Sequence, residues 1–347
     1  THTTMGHYAP GGEQAKELVP GVAFTVGDRA TLAIEDEFAY RRATLTGVKR
    51  VRFDPATKHL IAPAKQEAWL GREYPASLRC VLPDGTPGAS LQASVRNGVV
   101  FTQGDLVVGS SCTVAENPLT PEPGIHMAAT TAVDGTPGNT FTVARAGNSV
   151  EFINTFSRRV TDATVRTGVV LPGTARQDYE AAGKTLGAVL PAHPVTVVCR
   201  DGDAELLRRS ATVDGEGAVS LAGVPVGAAC TVGLGEYAPL DLQADTPEGS
   251  LRATMLPDAV DWTLSRPDST LATGKPLEQS NTAALSPAFV VEEDAAANVV
   301  QATGRYVYQT APLKLRKDIE GNPADMRLLS EANTMRFALQ CRALGTE

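Results

Sequence analysis

Three stretches of the chain each place one reactive or ionisable side chain on a face that is otherwise apolar. In Val150-Glu151-Phe152-Ile153-Asn154-Thr155-Phe156, a period of two puts Val150, Phe152, Asn154 and Phe156 on one side, as in a half-buried strand. Leu45, Gly47, Lys49, Val51 and Phe53 share a face of a second stretch, and Cys112, Val114 and Glu116 share a face of a third. A buried polar group without partners costs a few kcal/mol, so three of them call for a reason. An amine, a carboxyl and a carboxamide aimed into one core are the parts of a self-made amide cross-link. Burial disfavours charge, which frees an amine to act as nucleophile and keeps a carboxyl protonated so that it can polarise a carbonyl. Folding holds the amine against the amide, and such proximity supplies several kcal/mol of the barrier. The reaction runs once per chain, needs no cofactor and is autocatalysis rather than enzymatic turnover. Two plainer readings stand beside it. Lys49 and Glu116 can form a buried ion pair that Asn154 hydrogen-bonds, or the strand parity can be shifted by one residue so that all three groups face water.

The elements that must position these groups recur along the chain. Pro20-Gly21-Val22-Ala23-Phe24-Thr25-Val26, running on to Ile34-Glu35-Asp36-Glu37-Phe38, matches Pro137-Gly138-Asn139-Thr140-Phe141-Thr142-Val143, running on to Ile153-Asn154-Thr155-Phe156. Residues 1–42 therefore read as the closing strands of a repeat whose beginning lies outside the chain. Residues 43–159 form a complete repeat, with a polar connection around Trp69, a strand at Tyr74–Cys80, turns at Pro83-Asp84-Gly85 and Asn97-Gly98, a strand through Cys112 and the closing strand through Asn154. Residues 160–312 repeat these landmarks, with Pro194–Cys199 answering the first cysteine strand and Pro225–Val232 the second. The second half of this repeat carries a long insertion at about 240–300 that includes Trp262 and an acidic, Ala-rich segment near Glu292-Glu293-Asp294. Residues 313–347 open a further repeat. Units of this size with short alternating strands are expected to be β-sandwiches, so the fold class is all-β: tandem Ig-like β-sandwich domains arranged as a rod.

The three polar residues are absent together from the second complete repeat. Ala163, Val165, Thr167, Val169 and Leu171 form the inward face of its opening strand, so Thr167 stands where Lys49 does, and Leu234 stands where Glu116 does. Its closing strand, read as Tyr306 to Thr310, offers Gln309 or Thr310 and neither Asn nor Asp. Parts of one device disappear together. In the leading fragment Asp36 occupies the Asn154 position, and in the trailing fragment Lys317 occupies the Lys49 position. Each is half of a further link.

The five cysteines divide as Cys80 with Cys112, Cys199 with Cys230, and Cys341 unpaired where its repeat is cut short. Buried free thiols are one reading. Zinc ligation lacks a Cys-x-x-Cys or clustered histidines. One disulfide per repeat is the reading adopted, which places the protein outside the cytosol. Each would close a loop of about thirty residues and stabilise its domain by roughly 3–4 kcal/mol in the chain-entropy model.

The combination of Lys49 on an opening strand, Glu116 within Gly109-Ser110-Ser111-Cys112-Thr113-Val114-Ala115-Glu116, and Asn154 on a closing strand resembles the collagen-adhesin B-type domains of Gram-positive pilins and adhesins. The Gly-x-x-Cys-Thr-Val-x-Glu stretch also resembles a disulfide-bearing variant in repeats of actinobacterial surface proteins. The resemblance covers residues 43–159 well and the two fragments in part. It implies an Ig-like sandwich in which Lys49 is the nucleophile, Asn154 the acceptor and Glu116 the helper acid of an isopeptide bond. It also implies a structural stalk segment on the bacterial cell surface, whose partners are neighbouring repeats.

Composition narrows the rest. The formal net charge is −8, and no basic stripe suggests nucleic acid. No apolar run is long enough to span a bilayer. His2, His7, His59, His126 and His193 are scattered, and no Gly-x-Ser-x-Gly elbow, phosphate-cradling glycine loop or calcium-loop pattern accompanies them, so no enzyme or cofactor is expected. The alternative to a stalk is an adhesin module that grips a host or cell-surface ligand with sandwich-end loops or the 240–300 insertion. Aromatic residues are only 5% of the chain, which favours the stalk because binding surfaces are enriched in Tyr and Trp. A further reading lets the incomplete terminal repeats pair with another copy by strand addition.

Overall fold

A computed structural model describes residues 2–9, 16–18, 31–117, 119–120, 122–246, 249–266, 270–276 and 283–314, with side chains from residue 39 onward except those of 246, 249, 251, 270–276 and 283. Strands dominate, as the short alternating runs predict, and the chain divides into two compact units. The first holds residues 1–58, 63–121 and 126–157; the second holds 59–62, 122–125 and everything from Arg158 on.

The first unit begins with a three-stranded sheet of β1 (His2–Ala9), β2 (Lys16–Leu18) and β3 (Thr31–Phe38), in the order β2-β1-β3. Its main body is a β-sandwich. One sheet contains β4 (Arg42–Phe53), β7 (Val100–Val107), β9 (Ile125–Val133), β10 (Thr136–Pro137) and β12 (Asn148–Arg158), in the order β10-β9-β12-β4-β7. The other contains β5 (Glu73–Val81), β6 (Pro87–Arg96), β8 (Ser111–Glu116) and β11 (Thr140–Thr142), in the order β11-β8-β5-β6. The opening and closing strands, β4 and β12, lie side by side and parallel, with Lys49 opposite Phe152 and Asn154 opposite Val51. Burial alternates strictly along β4, β5 and β12, so the strand parity read from the sequence holds and the groups do not face water. The connection around Trp69 is a short helix, α1 (Pro63–Gly71), which the sequence reading left as a polar link. Its buried Trp69 stacks on Phe156 with ring centroids 4.3 Å apart and closes one end of the core.

The second unit repeats the plan. β13 (Val160–Val170) pairs in parallel with β23 (Val299–Tyr308), and β14 (Ala192–Asp201) pairs with β17 (Ala229–Glu236). Between them run α2 (Ala175–Ala181), β15 (Ala204–Asp214) and β16 (Ala218–Pro225). The 240–300 insertion is not a loop appended to the sandwich. Its strands β18 (Leu240–Thr246), β19 (Gly249–Leu264) and β20 (Thr270–Pro276) extend the β16-β13-β23 sheet, with β19 hydrogen-bonded directly to β23. β21 (Ala283–Leu285) and β22 (Phe289–Val290) edge the opposite sheet. Leu240, Leu242, Ala244, Met255 and Trp262 are all at most 2% exposed. The described strands of the insertion therefore build core, and its deletion would remove the neighbour of the closing strand, so a dispensable spacer does not describe it.

Both cysteine pairs are disulfides, Cys80–Cys112 and Cys199–Cys230, each joining residues directly opposite one another on adjacent antiparallel strands. Cys341 lies outside the described residues.

Candidate cross-link site

Lys49, Glu116 and Asn154 meet between the two sheets of the first unit. Each comes from a different strand, and each is carried inward by the same alternation that buries Leu45, Val114 and Phe152 around it. Lys49 and Asn154 have no exposed surface, and the Glu116 side chain is 8% exposed. The Lys49 Nζ donates to Glu116 Oε2 at 2.6 Å, and Asn154 Nδ2 donates to Glu116 Oε1 at 2.5 Å. One carboxyl group thus holds both the amine and the carboxamide, a charge-assisted arrangement of short bonds. The geometry differs from the expected one in a single respect: the amide nitrogen, not the carbonyl, faces Glu116. Asn154 Oδ1 is buried with no hydrogen-bond partner among the described residues. A half-turn of the carboxamide would exchange the two atoms and bring the carbonyl to Glu116.

Aromatic rings seal the amine from water. The Tyr74 ring lies under Lys49 Nζ, 4.6 Å from its centroid, and Tyr74 Oη is tied to the Trp69 carbonyl at 2.7 Å. Burial, with the nearby Glu116 charge, pushes the Tyr74 hydroxyl up to about 12. Phe101 covers Gly47, the inward residue one step before Lys49. A Cβ there would fall 2.0–2.8 Å from the Phe101 ring, so only glycine admits the ring. Burial pulls the Lys49 amine below its usual value, and Glu116 opposes this through its hydrogen bond and charge. The lysine is thereby biased toward the neutral form that can attack a carbonyl carbon.

The sequence reading missed three contributors. Tyr74 has the parity of Ala76, Leu78 and Cys80, but an aromatic at that position reads as ordinary core. Asn97-Gly98 reads as a hairpin turn, whereas it also grips the edge of β4: Gly98 N donates to Lys49 O at 2.8 Å, and Val51 N donates to Asn97 Oδ1 at 2.7 Å. Asn148 opens β12 and satisfies the preceding loop, accepting from Ala144 N at 2.8 Å and donating to Ala144 O at 3.0 Å.

In the second unit, the register fixes the equivalent positions. Cys199 opposite Cys230 and Val195 opposite Leu234 mirror Cys80 opposite Cys112 and Ala76 opposite Glu116, so Leu234 takes the Glu116 place. Thr167 opposite Ala302 mirrors Lys49 opposite Phe152, so the residue answering Asn154 is Gly304. Gln309 and Thr310, which the sequence reading offered for that role, lie beyond the end of β23 because the closing strand runs Val299–Tyr308. At Gly304 a Cβ would come within 2.5 Å of the Tyr237 ring, which fills the space. Thr167 is buried and spends its hydroxyl on Gly215 O at 2.7 Å. An aromatic plug stands where the first unit gathers an amine, an acid and an amide.

Asp36 lies in β3 opposite Thr4, and its side chain lies outside the described part; Lys317 lies outside the described residues altogether. Among the described residues no group of His, Cys, Asp and Glu has a metal-binding arrangement, and no helix is long and apolar enough to cross a membrane.

No curated protein matches the chain. Residues 56–157 match a family model described as a domain of unknown function, DUF5979. Similar solved structures include the major pilin T-13 of Streptococcus pyogenes, at 13% identity over 77% of this chain and 98% of that one, with a TM-score of 0.29. The two B repeat units of the Staphylococcus aureus collagen-binding protein are similar at 11% identity over 88% of this chain and 94% of that one, with a TM-score of 0.30. A Mobiluncus mulieris adhesin containing intramolecular disulfide, isopeptide and ester bond cross-links is similar at 11% identity over 69% of this chain and 86% of that one, with a TM-score of 0.26. The chain is thus similar to Gram-positive pilins, collagen-adhesin B repeats and a cross-linked bacterial adhesin, and its matched family carries no assigned function.

Proposed function

We propose that the first unit forms an autocatalytic isopeptide bond between Lys49 and Asn154, with Glu116 as helper acid, and that the chain is a stalk segment of a bacterial cell-surface adhesin or pilus-like protein. The observation that carries this reading is the single buried carboxyl group bonded at once to the Lys49 amine and the Asn154 amide. The same contacts would serve a buried ion pair hydrogen-bonded by Asn154, but that reading gives no reason for an Asn154 carbonyl buried without a partner beside an amine.

In the proposed reaction Lys49 Nζ passes one proton to Glu116 and attacks Asn154 Cγ as a neutral amine. The new C–N bond makes a tetrahedral centre. Glu116 returns the proton to Nδ2, the C–Nδ2 bond breaks and ammonia leaves, while the second proton of the attacking nitrogen passes to Glu116, leaving a neutral secondary amide. Amine and primary amide become secondary amide and ammonia, with no oxidant, metal or nucleotide consumed. The parallel register supports a mechanical purpose. The chain enters β4 at Arg42 and leaves β12 at Arg158, at opposite ends of the pair, so tension shears the ladder between them. A covalent tie between the two strands carries that load past the hydrogen bonds. The two disulfides support an oxidising, extracellular location.

Intact mass spectrometry tests the reading. The unmodified chain should lose one ammonia, about 17 Da, in addition to the hydrogens of its disulfides, and reductant should restore only the latter. Lys49→Met and Glu116→Gln should both recover the full mass. Gln is preferred to Ala at position 116 because removing the partner of a buried charge costs about 3–5 kcal/mol and would confuse reactivity with folding. A wild-type chain with no ammonia deficit overturns the cross-link.

A further inference from the structure

We infer that Asn97, outside the reacting set, is a positioning residue for the Lys49–Asn154 reaction; this rests on the cross-link proposed above. β4 is flanked by β12 along one edge, but on the other its partner β7 reaches only as far as Val48, which pairs with Val100. Beyond that point the chain of the β6–β7 hairpin crosses to the opposite sheet, and the edge of β4 at residues 49–51 would be left open. The turn closes it. Lys49 and Asn97 form an isolated parallel bridge, Gly98 N donates to Lys49 O, and Asn97 Oδ1 accepts from Val51 N. The two peptide units that follow the Lys49 Cα, one on each side of Arg50, are therefore held by one dipeptide, in which Gly98 takes φ +74° to make the turn.

This matters for chemistry because the amine sits at the end of a long side chain whose direction is set by that backbone. A tilt of β4 at residue 49 moves Nζ away from Glu116 Oε2 and from the Asn154 carboxamide. The second unit supplies the control. Val169, the counterpart of Val51, gives its N–H to Glu216 Oε1 at 3.1 Å from the equivalent turn, so a carboxylate is a competent acceptor at this place. There the acceptor closes an edge beside Thr167, which carries no amine. In the first unit the same closure also sets the aim of an amine.

The test follows cross-linking in time. Full chains made by cell-free synthesis in an oxidising mixture are chased and sampled by intact mass. Asn97→Ala should slow the loss of ammonia about 10- to 100-fold, the penalty that misplacement by about 1 Å brings to reacting groups. Asn97→Asp, which keeps the acceptor, should react within a few-fold of wild type. Samples are restricted to chains whose Cys80–Cys112 bond has formed, so an unfolded fraction does not count. A wild-type chain that never loses ammonia sinks the cross-link itself. A wild type that reacts while folded Asn97→Ala reacts equally fast overturns only the positioning role, as does Asn97→Asp that remains as slow as Asn97→Ala.

Discussion

Lys49 is the residue on which the proposed chemistry turns, because among the described residues it is the largest charged side chain with no exposure, and its burial works against the charge that Glu116 supports. Its folded-state value lies below the ordinary 10.5, so the unfolded chain holds a proton that the folded chain releases more readily. Stability linked to this group is therefore fully present above about 10.5 and is lost as pH falls through the folded value. Bond formation removes the effect, since an amide does not titrate. Asn154→Ala, which leaves the amine unreacted, should gain stability as pH rises toward 10.5, relative to the Lys49→Met/Asn154→Ala double variant. The difference cancels Tyr74, whose raised value acts in the opposite sense in the same range. Denaturant melts of the two proteins between pH 7 and 10.5 check this; parallel curves would mean that Lys49 is not held as the geometry indicates.

Strands decide what the residues can reach. β4 and β12 bring Lys49 and Asn154 to one face because their pairing is parallel and in register, and β8 supplies Glu116 from the facing sheet, pinned to β5 by Cys80–Cys112 four residues away. The second unit uses the same strands with different contents. Its Tyr237 ring lies over Gly304, against His193 and Tyr306, with ring centroids 4.7 Å and 6.4 Å away. Gly304→Ala should destabilise the second unit by about 1–3 kcal/mol, the usual toll of overpacking a filled core, while leaving the ammonia loss of the first unit unchanged. Urea unfolding followed by a probe in each unit reads both effects. No change in the second unit would show that Tyr237 yields without strain.

At the scale of the molecule, two sandwiches of one plan share one covalent tie, and the proposed link would give the first a second. Each has a disulfide enclosing a similar loop, with separations of 32 and 31 residues, so reduction withdraws about the same 3–4 kcal/mol from each. The proposed Lys49–Asn154 link spans most of the first unit and persists in reductant. Scanning calorimetry in reductant should therefore show the second unit melting well before the first. In Lys49→Met the gap should narrow. A gap that is the same in both proteins would assign the difference to packing alone.

Much of this was legible in the sequence because the period of a strand is local: two residues suffice to fix which side a group faces. Parity placed Lys49, Glu116 and Asn154 inward, and the repeat paired the four cysteines and put Thr167 and Leu234 at the matching sites of the second unit. Pairing partners are not local. That the closing strand of the second unit ends at Tyr308, that Gly304 and Tyr237 replace the amide, and that the 240–300 insertion is a sheet rather than an appendage all depend on which strands lie adjacent. So does the grip of Asn97 on β4, since a turn read from sequence shows its own bend but not the distant edge it closes.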